Sequence, residues 1–331
     1  MKFIAFLLPL AMLAACTVPG ANPEDQAAPP GILAGKLPPG TASPSAKTGI
    51  VRYEALDTSN GNGFAQDFTY NAANDTFSID NLGFDGGNSY TRGAAISSLG
   101  PFAVYDGPNI FPDTVTGTPI SQLLHRAIYG VSASGQTQLA IVRTGSYIDY
   151  GFGGFTYQRS GGTVLPTSGQ AAFTGAYAGM RDFNGASGLE FVTGDMDMDI
   201  DFNDFNNGNA VKGVVYNRQI FDPSGTDITD TVIAAVSRDT GLTHTILPML
   251  TFRIGPGVMD ANGEMTGGVN AFASNDLGGV NDYGKGTYYA VLSGDITQGG
   301  EVVGIIIVEA DDPRASGVVV RETGGFLLSR Q

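Results

Sequence analysis

Residues Thr167–Tyr216 read TSGQAAFTGAYAGMRDFNGASGLEFVTGDMDMDIDFNDFNNGNAVKGVVY, and this stretch decides the fold. It predicts a short strand, a turn, a long strand of alternating polar and apolar residues, a polar turn and a return strand. Glycines stand at nearly every point where backbones would crowd or reverse direction. Together these features predict the start of a small antiparallel β-barrel.

The rest of the second half continues this pattern. Short apolar runs between Gly-rich turns predict further strands, and their number is close to what an eight-stranded barrel needs. We expect the last strand, Phe326–Leu328, to pair with the first, Ala171–Ala178, because closure removes the exposed edges of the sheet. The strands between them are predicted at Leu189–Phe202, Ala210–Arg218, Asp230–Val236, Leu247–Ile254, Glu264–Ala273, Gly286–Gly294 and Val302–Glu309.

Several segments of this half also resemble a known family. They are GQAAFTGAYAG at 169–179, DFND at 201–204, VKGVVY at 211–216, GKGTYYAVLSGDITQGGEVVGIIIVEA at 284–310 and ETGGFLL at 322–328. Over about residues 166–330 the chain is similar to the β-barrel domain of surface lipoproteins of the transferrin-binding protein B type.

The resemblance implies binding rather than catalysis. Surface loops of two domains would capture a protein or a metal-carrying ligand, or another solute, for an outer-membrane partner such as a transporter. The family's best-known members are much longer and have two lobes, each a handle domain followed by a barrel, whereas this chain has one. No ligand-contact residue is transferred, because the loops cannot be matched.

Residues 48–165 are predicted to form an irregular β-rich domain, which corresponds by position to the handle. Strand-like runs alternate here with Gly-Asn and Asp-Gly turns, and only Ile120–Arg126 suggests a helical turn. The turn-rich connector Gly161–Gly169 marks the boundary, so the barrel domain is predicted at 166–331. The chain as a whole is expected to be all-β.

The first 15 residues, MKFIAFLLPLAMLAA, predict a secretory signal peptide, since one Lys precedes a short apolar run and small residues. Leu13–Cys16 matches the lipobox of bacterial lipoproteins. Cys16 would therefore receive a diacylglyceryl group, become the new N-terminus and be acylated again, for example with palmitate. Thr17 after the cysteine predicts sorting to the outer membrane, with possible exposure on the cell surface.

Residues 16–47 are predicted to be a disordered tether after the lipidated cysteine. Seven prolines lie there among Gly, Ala and Ser, a composition that favours extended chain over a packed core. At about 3.1 Å per residue it could reach roughly 90 Å from the membrane.

The amino-acid composition argues against several classes of function. The formal charge is −15, with 32 acidic and 17 basic residues, and no basic cluster is present, which argues against nucleic acid as a partner. The only histidines, His125 and His244, cannot build a multi-histidine metal site and are predicted to be half-buried strand residues. A single cysteine excludes an intramolecular disulfide. We expect a non-enzymatic protein without cofactor, catalytic or metal-binding residues.

Three motifs keep a functional alternative open. On the strand within Gly194–Asp204, the carboxylates of Asp195, Asp197, Asp199 and Asp201 predict a solvated face, with cation binding or partner contact as alternatives. Asp239 lies in an Asp-Thr-Gly triplet, which aspartic proteases share, although an exposed hairpin turn explains it better. The aromatic run Tyr147–Tyr157 could be core or a recognition patch.

Other functions therefore remain alternatives to a binding protein. A lipocalin-like carrier of a small apolar ligand would need a partly hollow barrel, and Met, Phe and Tyr side chains filling the lumen would contradict it. A purely structural surface protein and an anchored aspartic protease are the other two.

Overall fold

The computed structural model describes residues 37–80, 82–205, 208–254, 257–274 and 280–331. The predicted signal peptide, Cys16 and most of the predicted tether lie outside these residues. Within them, no helix has the length and apolarity needed to cross a bilayer.

The first half of the chain forms a strongly curved antiparallel sheet, the half-barrel. Its strands follow the order β1-β11-β10-β9-β6-β4-β3-β2, with β5 beside β6, while β7 and β8 form a separate hairpin. The strands are β1 (Ile50–Tyr53), β2 (Phe68–Asn71), β3 (Thr76–Ile79), β4 (Ser89–Arg92), β5 (Ser98–Leu99), β6 (Phe102–Asp106), β7 (Ile110–Pro112), β8 (Pro119–Ser121), β9 (His125–Val131), β10 (Thr137–Thr144) and β11 (Gly153–Arg159).

The second half forms a closed antiparallel barrel of eight strands, β13 to β20. Each strand pairs with the next, and β13 pairs with β20 to close the ring, with Tyr177 opposite Phe326. A short strand, β12, joins it by parallel pairing with β18. The strands are β12 (Thr163–Val164), β13 (Gly169–Asn184), β14 (Leu189–Phe205), β15 (Gly208–Phe221), β16 (Met249–Phe252), β17 (Glu264–Ser274), β18 (Val280–Asp295), β19 (Glu301–Asp311) and β20 (Val319–Arg330). The predicted all-β class, the barrel and its closing pair are confirmed.

One predicted barrel strand is wrong. Residues 230–236 belong to helix α1 (Thr229–Thr240), which ends at Gly241 in the left-handed conformation. Val232, Ala235 and Val236 are buried, and their spacing of three and four residues places them on one helical face. A short apolar run fits either a strand or a buried helix, and here the packing of this face against the barrel favours the helix.

Two parts of the first half also differ from the sequence prediction. Ile120–Arg126 is no helical turn, because its ends belong to β8 and β9. Residues 37–47, which the sequence predicts as part of the tether, lie on the folded body, where the Tyr53 N–H donates to the carbonyl of Pro39 and the Thr41 N–H donates to the carbonyl of Val51. This segment covers the outer edge of β1, which would otherwise be exposed.

The half-barrel packs against the outer face of the barrel. A continuous apolar core joins Phe102, Leu139 and Ile141 of the half-barrel to Phe191 and Ile305 of the barrel.

Polar groups also cross this interface. The Arg52 guanidinium makes two hydrogen bonds to the Glu264 carboxylate, at 2.6 and 2.8 Å, and Arg159 donates to the carbonyls of Asn262 and Leu292, both at 2.7 Å. The two halves are therefore held in a fixed arrangement by both apolar and polar contacts.

Candidate functional site

One end of the half-barrel presents apolar side chains to solvent. They lie on the β3–β4 loop, on the β7–β8 hairpin with the segment that follows it, and on the β10–β11 loop. We call this set the apolar end surface, and its members with their exposed fractions are Phe84 (65%), Ile110 (61%), Val115 (90%), Ile120 (38%), Leu124 (42%), Tyr147 (38%) and Ile148 (64%). Exposed apolar groups clustered on one end of a soluble domain are typical of a protein-binding surface.

Phe84 is the most unusual of these residues. Its φ is 55°, in the left-handed region that bulky residues rarely adopt, and yet its ring is exposed rather than packed in the core. Its carbonyl accepts a hydrogen bond from the Leu123 N–H at 2.8 Å, and the N–H of Gly86 donates to the Gln122 side chain at 3.2 Å. The fold thus holds a large aromatic side chain outward in a strained conformation, as binding sites often do.

The buried side chain of Asp85 supports this loop from below. Its carboxylate accepts hydrogen bonds from the Asn88 N–H at 3.2 Å and from the Tyr90 hydroxyl at 3.4 Å. Burial raises the pKa of Asp85, and the Asn88 and Tyr90 hydrogen bonds oppose that shift. The loop that carries Phe84 is therefore fixed before any ligand binds, which lowers the entropic cost of binding.

Hydrogen bonds connect the loops of the apolar end surface to one another. Leu123 reaches the Phe84 loop, and the next residue, Leu124, donates its N–H to the Ser146 hydroxyl at 3.1 Å. The Tyr147 ring then packs edge-on against Phe152, with 5.1 Å between ring centroids. The surface is therefore one connected structure rather than a set of independent loops.

The apolar end surface has an acidic border. Segments 80–91, 107–124 and 145–152 contain no Lys or Arg, and their charged residues are Asp80, Asp85, Asp113 and Asp149. Asp80 and Asp149 are exposed. Such a surface favours a partner that places basic groups around an apolar centre.

The aromatic run Tyr147–Tyr157 is partly core and partly exposed. Tyr150, Phe155 and Tyr157 are buried, whereas Tyr147 and its neighbour Ile148 are exposed on the apolar end surface. The sequence did not single out Phe84, Ile110 or Leu124. A signal for Phe84 was present in the segment Gly83–Gly87, where a single aromatic residue lies in a turn rich in Gly and Asp and is therefore a candidate for exposure.

The acidic strand has the predicted geometry. Met196, Met198, Ile200 and Phe202 are buried in the barrel, and the aspartates between them face outward. These aspartates have protein partners: Asp195 accepts from Asn217 at 2.8 Å, Asp201 accepts from Gln170 at 3.1 Å, and Asp199 lies 4.0 Å from Lys212. The described residues contain no group of three or more metal-ligating side chains.

Asp239 lies in the last turn of α1 and is exposed, so the expected turn is the end of a helix rather than a hairpin. The catalytic aspartates of the proteases need a buried site, and this position does not supply one.

Both histidines are more deeply buried than expected. His125 lies in β9 with no exposed surface, and desolvation lowers its pKa to about 4. His244 lies in the loop after α1 rather than in a strand, and its Nε2 is 2.8 Å from the Thr240 hydroxyl oxygen.

The barrel lumen is filled by side chains. The rings of Phe252 and Tyr288 stack with centroids 3.7 Å apart, and Phe326 lies 6.4 Å from Phe252. Phe173, Tyr177, Met196 and Met198 belong to the same buried cluster. Glycines make room for these rings: a Cβ added to Gly213 would lie 2.6 Å from the Phe252 ring. This packing contradicts the lipocalin-like alternative, which needs a hollow interior.

The protein is thus a β protein made of a half-barrel and a closed barrel, with exposed apolar side chains on loops at one end of the half-barrel. Its structure is similar to those of transferrin-binding protein B. A double mutant of the vaccine antigen from Haemophilus parasuis Hp5 shares 10% identity with a TM-score of 0.35, over 85% of this chain and 51% of that one. Intact Ap-TbpB, with N and C lobes, shares 11% identity with a TM-score of 0.33, over 80% and 47%. A single mutant from H. parasuis Hp5 shares 8% with a TM-score of 0.31, over 87% and 67%.

The chain spans about half the length of the first two of these structures. No family model matches the chain, and no curated protein sequence matches it either.

Proposed function

We propose that this protein is a non-enzymatic binding protein that captures a protein ligand, or a protein that carries a metal, through the apolar end surface. The observation that supports this most strongly is Phe84, a large exposed aromatic side chain held at φ 55° by a loop anchored at Asp85 and Leu123. Rigid aromatic groups surrounded by other apolar contacts commonly dominate binding energy at protein interfaces.

We also propose that the protein is anchored to the outer membrane. The lipobox at Leu13–Cys16 supports a lipid anchor at the outer membrane, and the Pro-rich segment after it would carry the folded body away from the lipid. A captured ligand could then be delivered to a transporter in the same membrane. The proposed site needs access to the outside, so the folded body would face the cell exterior.

Phe84→Ala should weaken ligand binding by about 30-fold, since an interface hot spot contributes about 2 kcal/mol or more. The fold should be unaffected because the ring is 65% exposed. The test captures biotinylated proteins of the growth environment on the immobilised full chain and quantifies each by mass spectrometry.

Val131→Ser is the matched control, because Val131 is also exposed (45%) but lies in a different hairpin, at the end of β9. A ligand is a protein whose recovery falls with Phe84→Ala and not with Val131→Ser. If no captured protein shows this difference, the apolar end surface is not the binding site.

Cys16→Ser should leave the precursor unprocessed by the lipoprotein signal peptidase, because the thiol that accepts the diacylglyceryl group is missing. The measurement is the apparent mass of the protein and its partition between membrane and soluble fractions. Normal maturation and membrane partition of this variant would refute lipidation.

Digestion of the wild-type protein by protease added to intact cells tests the outward orientation, and complete protection would contradict it.

A further inference from the structure

A second concave feature lies away from the apolar end surface. It is an open cleft of about 980 Å³ between the segment that contains β5 and the outer face of strands β13, β14 and β15. The cleft shares no residue with the apolar end surface. Its walls include Ile96, Ser98 and Leu99 from the half-barrel and Ala176, Asp195 and Gln219 from the barrel.

The half-barrel wall of the cleft contains a strand edge. In β5, Ser98 pairs with Ala103 and Leu99 with Phe102, and the N–H of Val104 donates to the carbonyl of Ser97 at 3.1 Å. Backbone groups of successive residues in an antiparallel ladder point to opposite sides. Since Ser97 bonds to β6, the N–H and C=O of Ser98 point away from β6. An extended peptide could pair with them by β-strand addition.

The barrel wall is shaped by a bulge. The register between β14 and β15 shifts between Thr193 and Asp195, and Asn217 opposite has a φ of 50°. Bulges redirect side chains and are frequent next to binding sites. Here the exposed carboxylate of Asp195 lies in the cleft wall, held by the side-chain amide of Asn217 at 2.8 Å, and the exposed Gln219 is two residues further along β15.

The charge of the cleft favours a basic ligand. Asp195 and Arg218 are the ionisable lining residues besides the buried Tyr177, but the Arg218 guanidinium binds the Glu322 carboxylate at 2.6 Å and is only 6% exposed. The carboxylate of Asp195 is therefore the charge presented to a ligand. The partly exposed Ile96 offers an apolar contact beside it, whereas Leu99 is buried in the core behind the cleft.

We propose that this cleft binds an extended peptide segment, whose main chain pairs with Ser98 and whose Lys or Arg side chain contacts Asp195. The site is separate from the one proposed above and does not depend on it. Main-chain pairing would provide affinity, and the charge would provide selectivity.

The test selects phage-displayed random heptapeptides on the immobilised full chain and compares four proteins. These are the wild type, Ser98→Pro, Asp195→Lys and the control Asp199→Lys. Ser98→Pro removes the outward N–H that the peptide would use but no bond to β6, and proline is tolerated on such an edge. Asp199 lies on the same strand and face as Asp195 but outside the cleft.

The wild type and Asp199→Lys should select peptides rich in Lys and Arg, whereas Asp195→Lys should select acidic ones. Ser98→Pro should lower the recovery of wild-type peptides at least tenfold, and N-methylation of a selected synthetic peptide should do the same. Thermal unfolding verifies that each variant is folded. If Ser98→Pro is not folded, the comparison of Asp195→Lys with Asp199→Lys decides whether the cleft is the binding site. No enrichment on the wild type, or peptides that bind all four proteins equally, would overturn the proposal.

Discussion

Glu322→Gln is expected to lower the free energy of unfolding by about 3–5 kcal/mol, because it removes one charge from a buried network of ion pairs. The Glu322 carboxylate is 7% exposed and lies inside the barrel, where Arg218 contacts both of its oxygens at 2.5 and 2.6 Å. The Tyr177 hydroxyl donates to it at 2.7 Å, and Arg181 Nε is 3.6 Å away. Without this charge, two guanidinium groups would lose their shared counterion.

The other carboxylates of this network already have their own arginine partners and cannot replace the charge of Glu322. Glu190 accepts from Arg181 and from Arg314, both at 2.5 Å, and Arg314 also binds Asp312 at 2.8 Å. With Arg218 and Glu322 this makes three cations and three anions, so losing one carboxylate leaves a net positive charge at low solvent exposure. Breaking a buried pair in this way costs more than the intact pair contributes to stability.

Urea unfolding of the wild type and Glu322→Gln measures the effect. Asp199→Asn is the control, because Asp199 and Lys212 are 4.0 Å apart and about 60% exposed, and such pairs contribute less than about 1 kcal/mol. Replacing Arg218 and Glu322 together by Met should recover much of the loss, since the pair would be removed without leaving a charge. A loss below about 1 kcal/mol for Glu322→Gln would show that the network is not a stabilising unit.

The barrel could be predicted from sequence because its signal is local. Met196 and Asp197 belong to a period-2 pattern that assigns each side chain to one face of a strand without knowledge of the rest of the chain. The pairing of the last strand with the first, which the structure shows between β20 and β13, followed from the need to remove edges. Helix α1 could not be predicted in this way, because Val232, Ala235 and Val236 fit a strand as well until their packing is known.

The candidate sites depend on contacts between distant residues, which a local pattern does not contain. Phe84 is held by Leu123, and the edge of β5 becomes a cleft wall only when the barrel lies opposite. Buried ion pairs also join residues that are distant in the sequence. Arg321, for example, donates a hydrogen bond to Glu54, which lies 267 positions earlier. Arg and Glu at such positions are indistinguishable in sequence from ordinary surface residues.

A second buried carboxylate, Asp182, lies between the half-barrel and the barrel and is 1% exposed. Neither of its oxygens has a hydrogen-bond partner among the residues that the structure describes. The nearest cation is Arg143, at 3.7 Å, and Arg143 donates to Asn62 at 2.7 Å and to Glu54 at 3.3 Å. Desolvation therefore outweighs the attraction of Arg143 and raises the pKa of Asp182 to about 7.

This pKa predicts that the contribution of Asp182 to stability falls as the pH rises from 5 to 8, whereas His125, whose pKa burial lowers to about 4, contributes a change of opposite sign that is nearly complete by about pH 7. An unfolded Asp has a pKa of about 3.9, so between that pH and about 7 the folded state binds the Asp182 proton more tightly. The stabilising contribution of the Asp182 proton is therefore greatest at the acidic end of this window, and at about 1.4 kcal/mol per pH unit its loss between pH 5 and pH 8 is about 2–3 kcal/mol. Burial also raises the pKa of Glu54, which adds a change of the same sign.

Relative to the wild type, Asp182→Asn should gain about 2–3 kcal/mol of stability between pH 5 and pH 8 and should be the more stable protein at pH 8, because asparagine is neutral in both states. Urea unfolding at pH 5, 6, 7 and 8 measures it, and Asp199→Asn, which changes an exposed carboxylate, should keep the wild-type slope. If Asp182→Asn instead destabilises the protein most at pH 8, the carboxylate is ionised there and its pairing with Arg143 outweighs desolvation. The contact between the two halves of the molecule would then depend on an ion pair rather than on a buried proton.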